Sequence, residues 1–230
     1  MRNIFKLTLT VVILMIASTS FLEAQSWKKN LKKLAETATS SSTNSGGDFA
    51  SSQDALIMQT SAALATLSEA QYYVALAQGN QELAEQLKNI SDALKGGDNS
   101  DIKGHVNTIN KAAKAQKEII NKKEKMSDEA KKYYQSSLIP FFTSAALTVK
   151  LKEPAEQFVK GAINEIKSIR NPLELGKLKK TLATGIFVGK NIPSLIKNIL
   201  GTTGDLMSYS KDNGLDVSKA KSIELWYEIW

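Results

Sequence analysis

The sequence predicts an all-α protein, an antiparallel bundle of about seven to eight helices, and three observations support this prediction. Apolar residues recur at spacings of three and four along most of the chain, which is the period of an amphipathic helix. No segment alternates apolar and polar residues with the period of two that strands show. Short stretches containing Gly, Pro, Asn or Asp separate the periodic segments, so neighbouring helices are expected to be antiparallel.

The first 24 residues have the pattern of a secretory signal peptide. Arg2 and Lys6 form a positive start, an uncharged run of 16 residues extends from Leu7 to Leu22, and the small residue Ala24 precedes the expected cleavage point. A spanning helix needs about 20 apolar residues, so cleavage is expected rather than retention. The predicted address is the periplasm, with the extracellular medium second and an N-terminal membrane anchor third.

The rest of the chain is predicted to form an arm and one domain. Residues 25–53 comprise a short basic amphipathic helix and a Ser/Thr/Gly-rich linker from Thr39 to Gln53, which has too few apolar residues to build a core. Residues 54–230 are predicted to be a single helical domain. That length is sufficient for one packed core, and the chain has no Cys with which to form a disulfide.

The segment from Ala55 to Gln81 is predicted to be the central helix of the bundle. It carries one charge, Glu69, which is expected to be exposed, and Asp54 is expected to cap its start. Its many alanines allow close approach of neighbouring helices. Its seam residues recur at alternating spacings of three and four, and they are Thr60, Ala63, Leu67, Ala70, Val74 and Ala77.

The later helices are delimited by residues that cap or break helices. Their predicted starts and ends are Asn80 to Gly96, Ile102 to Met126, Ser127 to Val149, Pro154 to Ile169, Leu173 to Lys190, Pro193 to Lys211, and Ser218 onward. Pro140 is expected to kink or break the helix that contains it. Gly185 and Gly189 form a G-x-x-x-G pair, which predicts close contact between two helices of the bundle.

Two stretches of the chain are candidates for contact with apolar or anionic partners. The first, from Tyr133 to Val149, has 17 residues without a charge, and its aromatic residues suit an apolar ligand. The predicted lining residues are Tyr133, Tyr134, Phe141, Phe142 and Phe187. The second runs from Leu173 to Leu200, where lysines flank apolar runs in the manner of helices that lie on anionic lipid.

Aromatic and basic residues near the two ends of the mature chain suggest interaction surfaces. The predicted apolar patches are Trp27 and the helical face formed by Trp226, Tyr227 and Trp230, together with Ile223. The net charge of +7 suits contact with an anionic surface. The lysines expected to make such contacts are Lys28, Lys29, Lys32, Lys33, Lys177, Lys179 and Lys180.

The sequence contains no recognisable catalytic, metal or cofactor motif. One His, His105, and no Cys cannot build a typical zinc or copper site. The clusters Asp98–Asp101 and Asp212–Asp216 lack the Gly and Glu that a calcium loop requires, so we interpret them as turn and capping residues. No cofactor and no nucleic-acid partner are predicted.

These patterns leave three hypotheses for function. The first is a non-enzymatic module of the cell envelope that binds another envelope protein through an exposed apolar patch. The second is a binding protein for a lipid or other apolar ligand held between helices, and the third is an enzyme with an unrecognised site. The oligomeric state is left open.

Overall fold

The computed structural model describes residues 49–122 and 125–218, and this part of the chain is all-helical. Its helices are α1 (Phe49–Ala77), α2 (Gln81–Lys95), α3 (Ile102–Asn121), α4 (Asp128–Lys150), α5 (Lys152–Ser168) and α6 (Pro172–Asp212). The predicted count of about seven to eight helices includes the helix from Ser218 onward, nearly all of which lies outside the described residues. The basic helix near residues 27–38, which was predicted to precede the bundle, also lies outside them.

Helix α1 is the centre of the bundle and contacts each of the other five described helices. Its small side chains allow close approach, because Ala63, Ala65 and Ala70 are almost completely buried. Hydroxyls of neighbouring helices reach its backbone: Ser144 Oγ donates to the Ala63 carbonyl at 2.9 Å, and Ser91 Oγ donates to the Ala65 carbonyl at 3.0 Å. The prediction of a central, weakly charged helix is confirmed.

The contacts of α6 with α1 and α5 show how these three helices run relative to one another. Gln53 meets Gly185, and Leu56 lies near Gly189, so α1 and α6 are parallel. Helices α4 and α5 follow one another with only Leu151 between them, and α5 runs antiparallel to α6 because Phe158 lies against Gly185 and Ala155 against Gly189.

Most predicted helix boundaries are confirmed by cap geometry. The side chains of Asn80, Ser127 and Asn171 accept hydrogen bonds from the backbone amides at the starts of α2, α4 and α6. Gly79 and Gly97 have positive φ angles just after α1 and α2, a conformation that residues with a Cβ adopt rarely.

Helix α1 begins at Phe49, inside the segment predicted to be linker, so Asp54 lies within the helix and does not cap it. The early start has a tertiary cause. The Phe49 ring packs on Gly161, where an added Cβ would lie 2.9 Å from Phe49 Cε1, and Gln53 is buried against α6. These partners are more than a hundred residues away in sequence, so local composition does not reveal them.

The predicted break between Lys190 and Pro193 is wrong, because α6 is one helix of 41 residues. Val188, Ile192, Leu195 and Ile199 form one buried stripe across this point, and Pro193 is exposed. Burial along the stripe offsets the backbone hydrogen bond that a proline cannot make. Helix α4 likewise continues through Pro140.

Two smaller boundary predictions also change. Helix α3 ends at Asn121 rather than Met126, and Met126 instead lies in a loop where its amide donates to Asn213 Oδ1 at 2.9 Å. The predicted close contact at the glycine pair is confirmed: a Cβ on Gly185 would lie 2.7 Å from Phe158 Cε1, and one on Gly189 would lie 2.5 Å from Val159 Cγ2.

Candidate functional site

The end of the α5–α6 pair extends beyond the part of the bundle that has buried residues. Phe49, the first described residue of α1, lies against Gly161, and α5 continues beyond this contact to Ser168. None of residues 163–181, all of which are described, is buried. We call residues 165–181 the hairpin tip.

The hairpin tip combines apolar and charged side chains on its surface. Leu173 is 69% exposed, and Ile166, Ile169 and Leu175 are partly exposed. The charged residues are five basic ones and two acidic ones, Lys167, Arg170, Lys177, Lys179, Lys180, Glu165 and Glu174. Exposed apolar side chains among charges of both signs are typical of a surface that contacts another protein.

An open groove lies beside the hairpin tip, between α5 and α6, and we call it the α5–α6 groove. Its volume is about 440 Å³, and its apolar walls include Val159, Ile163 and Pro193. Gly189 also lines it, and the close approach of Gly189 to Val159 brings the two helices together there.

Charged residues also line the groove. Lys160 and Lys190 contribute one from each helix, and neither forms an ion pair within the described part of the chain. Glu156 is the acidic lining residue, one turn before Lys160. The groove therefore combines apolar walls with an excess of positive charge.

The five residues predicted to line a ligand site lie in different environments. Tyr134, Phe141 and Phe142 are buried in the core. Phe141 borders a cavity of about 10 Å³, which has room for about one water molecule. Tyr133 is partly exposed, and the Phe187 ring lies 5.3 Å from the ammonium nitrogen of Lys103.

Burial raises the pKa of the Tyr134 phenol to about 12. The hydrogen bond with Gln78 lowers this pKa, but burial has the larger effect. Gln78 Nε2 donates to the Tyr134 hydroxyl at 3.4 Å, and the Tyr134 ring meets Tyr209 edge to face at 5.5 Å between ring centroids. This cluster joins the end of α1 to α4 and α6, so its evident role is packing.

Of the predicted surface residues, Lys177, Lys179 and Lys180 are described, and all three are exposed on the hairpin tip. The others lie outside the described residues, namely Trp27, Lys28, Lys29, Lys32, Lys33, Trp226, Tyr227 and Trp230. Glu69, expected to be exposed, is partly buried and pairs with Lys95 at 2.8 Å.

The acidic clusters serve as turns and caps, as the sequence indicates. Asp98 accepts hydrogen bonds from the amide and hydroxyl of Ser100, and these bonds lower the pKa of its carboxyl group. Asp101 accepts from the Gly104 amide and caps α3. Among residues 49–122 and 125–218, no group of three or more His, Asp or Glu side chains is placed to hold a metal ion.

The groove is the feature that sequence reasoning missed. Phe158 and Ala162 are buried, as their helical spacing predicts, but Ile166 and Ile169 of the same predicted stripe lie on the hairpin tip. Val159 and Ile163 stand one position after Phe158 and Ala162, and this second apolar row was the available signal for another surface on α5.

The described residues thus form a helical bundle in which the α5–α6 hairpin ends in a segment without buried residues. Comparisons with protein-family models, with curated proteins and with solved structures find no match to this chain. Within the part of the chain that the structure describes, no helix is both long enough and apolar enough to cross a membrane.

Proposed function

We propose that the chain is an exported, non-enzymatic helical bundle that acts as a protein-interaction module of the cell envelope. The observation that carries this proposal is the hairpin tip, a surface of partly exposed apolar side chains with Leu173 at its most accessible position. Apolar groups held away from a core gain free energy when a partner covers them.

The aromatic residues support a protein partner over an apolar ligand held between helices. Phe141 and Phe142 are the largest side chains that are completely buried, so their rings fill the core. A ligand at these residues would have to displace close-packed groups, at the cost of the packing that holds α4 on α1. The hairpin tip requires no such rearrangement.

The charge pattern of the tip also favours a protein partner. Glu165 and Glu174 stand among its basic residues, and mixed signs provide selectivity for one complementary surface. The exposed lysines Lys177, Lys179 and Lys180 favour a second candidate, contact with an anionic lipid surface. The acidic residues would weaken that contact.

Site-specific photo-crosslinking in the producing cell tests the proposal. A photoreactive residue at Leu173 is expected to give one discrete protein adduct, whereas the same residue at Met58 is expected to give none. Met58 is the matched control because it is also an exposed apolar position, at 42%, but lies on α1. Equal labelling at both positions, or no adduct at either, would contradict the proposal.

A second measurement separates the two candidates. With the photoreactive group moved to Lys177, Leu173→Asp is expected to abolish the protein adduct because it places a charge in the apolar contact. An adduct with phospholipid instead of protein would support the anionic surface. Export is tested on the same samples, where N-terminal sequencing is expected to read from Gln25.

A further inference from the structure

We infer that a cavity at the junction of α1, α3 and α6 binds one water molecule, held by Thr60 of α1 together with Asn110 of α3 and Asn191 of α6. The volume of this cavity is about 10 Å³, which is room for about one water molecule. Cavities with purely apolar walls stay dry, so the hydration of this one depends on the polar groups in its wall.

Thr60 supplies a buried hydroxyl that has no partner in the described part of the chain. Its side chain belongs to the seam of α1, is 1% exposed, and lines the cavity. Its Oγ1 atom forms no hydrogen bond with any described residue. Leaving a buried hydroxyl unsatisfied lowers the stability of a fold, and most such groups bond to protein or to ordered water.

Three other buried threonines satisfy their hydroxyls within their own helices. Thr66, Thr148 and Thr203 each donate to the carbonyl four residues earlier, at 2.9, 2.7 and 2.7 Å. The Thr60 hydroxyl makes no such bond to the Leu56 carbonyl. It is therefore available to a partner inside the cavity.

Two asparagines complete the hydrogen-bonding capacity of the wall. Asn191 Nδ2 donates to the Phe187 carbonyl at 2.8 Å, so its Oδ1 is left to accept a hydrogen bond. Asn110 Oδ1 accepts from Asn198 Nδ2 at 3.4 Å, so its Nδ2 is left to donate one. With Thr60, these groups offer the three partners that a buried water molecule typically has.

The rest of the wall restricts the occupant to a small neutral molecule. Val106, Val188 and Ile192 are buried aliphatic residues that leave no room for a larger ligand. Ser194, which is exposed, contributes one more hydroxyl. None of the eight lining residues is charged, so nothing in the wall compensates the cost of removing an ion from solvent. Water fits both the size and the chemistry of this site.

A high-resolution crystal structure of the protein purified from the producing cell tests the inference. We expect one water oxygen in the cavity, at about 2.7–3.2 Å from Thr60 Oγ1 and from the side chain of Asn110 or Asn191. A cavity without ordered water, or a water beyond hydrogen-bond distance of Thr60, would overturn the inference. A Thr60 hydroxyl bonded to the Leu56 carbonyl in place of water would also overturn it.

Variants of two buried threonines separate a water site from ordinary packing. Thr60→Val removes the hydroxyl but keeps a similar shape, so the water is expected to disappear from the crystal structure and the urea midpoint of unfolding to fall. Thr60→Ser keeps the hydroxyl and is expected to retain the water. The matched control is Thr148→Val, which removes a hydroxyl bonded within α4 and is expected to leave the water in place. A rise in the midpoint for Thr60→Val would overturn the inference, because it would show that the hydroxyl had no partner to lose.

Discussion

Gln135 and Asp216 hold each other through two hydrogen bonds: Gln135 Nε2 donates to the Asp216 carbonyl at 2.8 Å, and the Asp216 amide donates to Gln135 Oε1 at 3.2 Å. One side-chain amide thus satisfies the donor and acceptor of a single backbone residue. The pair fastens the loop after α6 to α4, across 81 positions of sequence.

Gln135→Ala is expected to lower the free energy of unfolding by about 1–2 kcal/mol, because two net hydrogen bonds are lost at a partly exposed position. Urea unfolding followed by circular dichroism measures this change. Gln157→Ala is the control, since Gln157 bonds only to Glu153 on its own helix and is expected to cost a few tenths of a kcal/mol. Equal effects of the two substitutions would show that the loop is not held by this pair.

Gly185→Ala and Gly201→Ala are expected to change stability in opposite directions, although both glycines lie within α6. A Cβ at position 185 meets Gln53 and Phe158 at 2.7 Å, so overpacking is expected to cost about 1–3 kcal/mol. A Cβ at position 201 meets no atom within 4 Å, so the higher helix propensity of Ala should stabilise by up to about 1 kcal/mol. Thermal unfolding of both variants gives the signs, and a stabilising Gly185→Ala would contradict the packing.

Gln116→Leu is expected to be neutral or stabilising, despite the loss of a buried hydrogen bond. Gln116 Nε2 donates to the Gln71 carbonyl at 3.0 Å, but its own Oε1 is buried without a hydrogen-bond partner within the described structure. Leucine removes the unpaired oxygen while filling similar space. Gln116→Ala, which also leaves a cavity, is expected to cost about 2 kcal/mol or more. Equal losses in the two variants would show that the amide itself matters.

Alkaline pH is expected to destabilise the protein through Tyr134. Its folded pKa is about 12 against 10.0 for an unperturbed tyrosine, so the neutral phenol is favoured in the folded state. The stability that this group contributes is fully present below pH 10 and is lost as pH rises through 12, amounting to about 3 kcal/mol. Unfolding free energies measured at about pH 9 and about pH 11.5 in the parent and in Tyr134→Phe give the difference. A parallel decline in both proteins would contradict this assignment.

Local chemistry explains why the sequence predicted many helix boundaries. Asn80 and Ser127 cap helices with their own side chains, and Gly97 takes up a positive φ, so each signal acts within a few residues. Gly185 and Gly189 in α6 were equally informative, because the absence of a Cβ at these positions allows α5 to pack closely against α6.

The features that the sequence did not reveal depend on residues far apart in the chain. Phe49 is helical because of Gly161, and Pro193 is tolerated because the stripe on either side of it is buried. The helical spacing of apolar residues on α5 likewise continues from the core at Phe158 and Ala162 to the surface at Ile166 and Ile169, and spacing alone does not distinguish the two.

The central position of α1 has a consequence for how the chain acquires its structure. The contact between Gln53 and Gly185 joins positions 132 residues apart, and contacts of such separation slow folding because a long loop must close first. During synthesis α1 leaves the ribosome before every helix that will cover it. Its alanine-rich surface stays open to other chains until α6 is complete, and this interval is when a chaperone would be most useful.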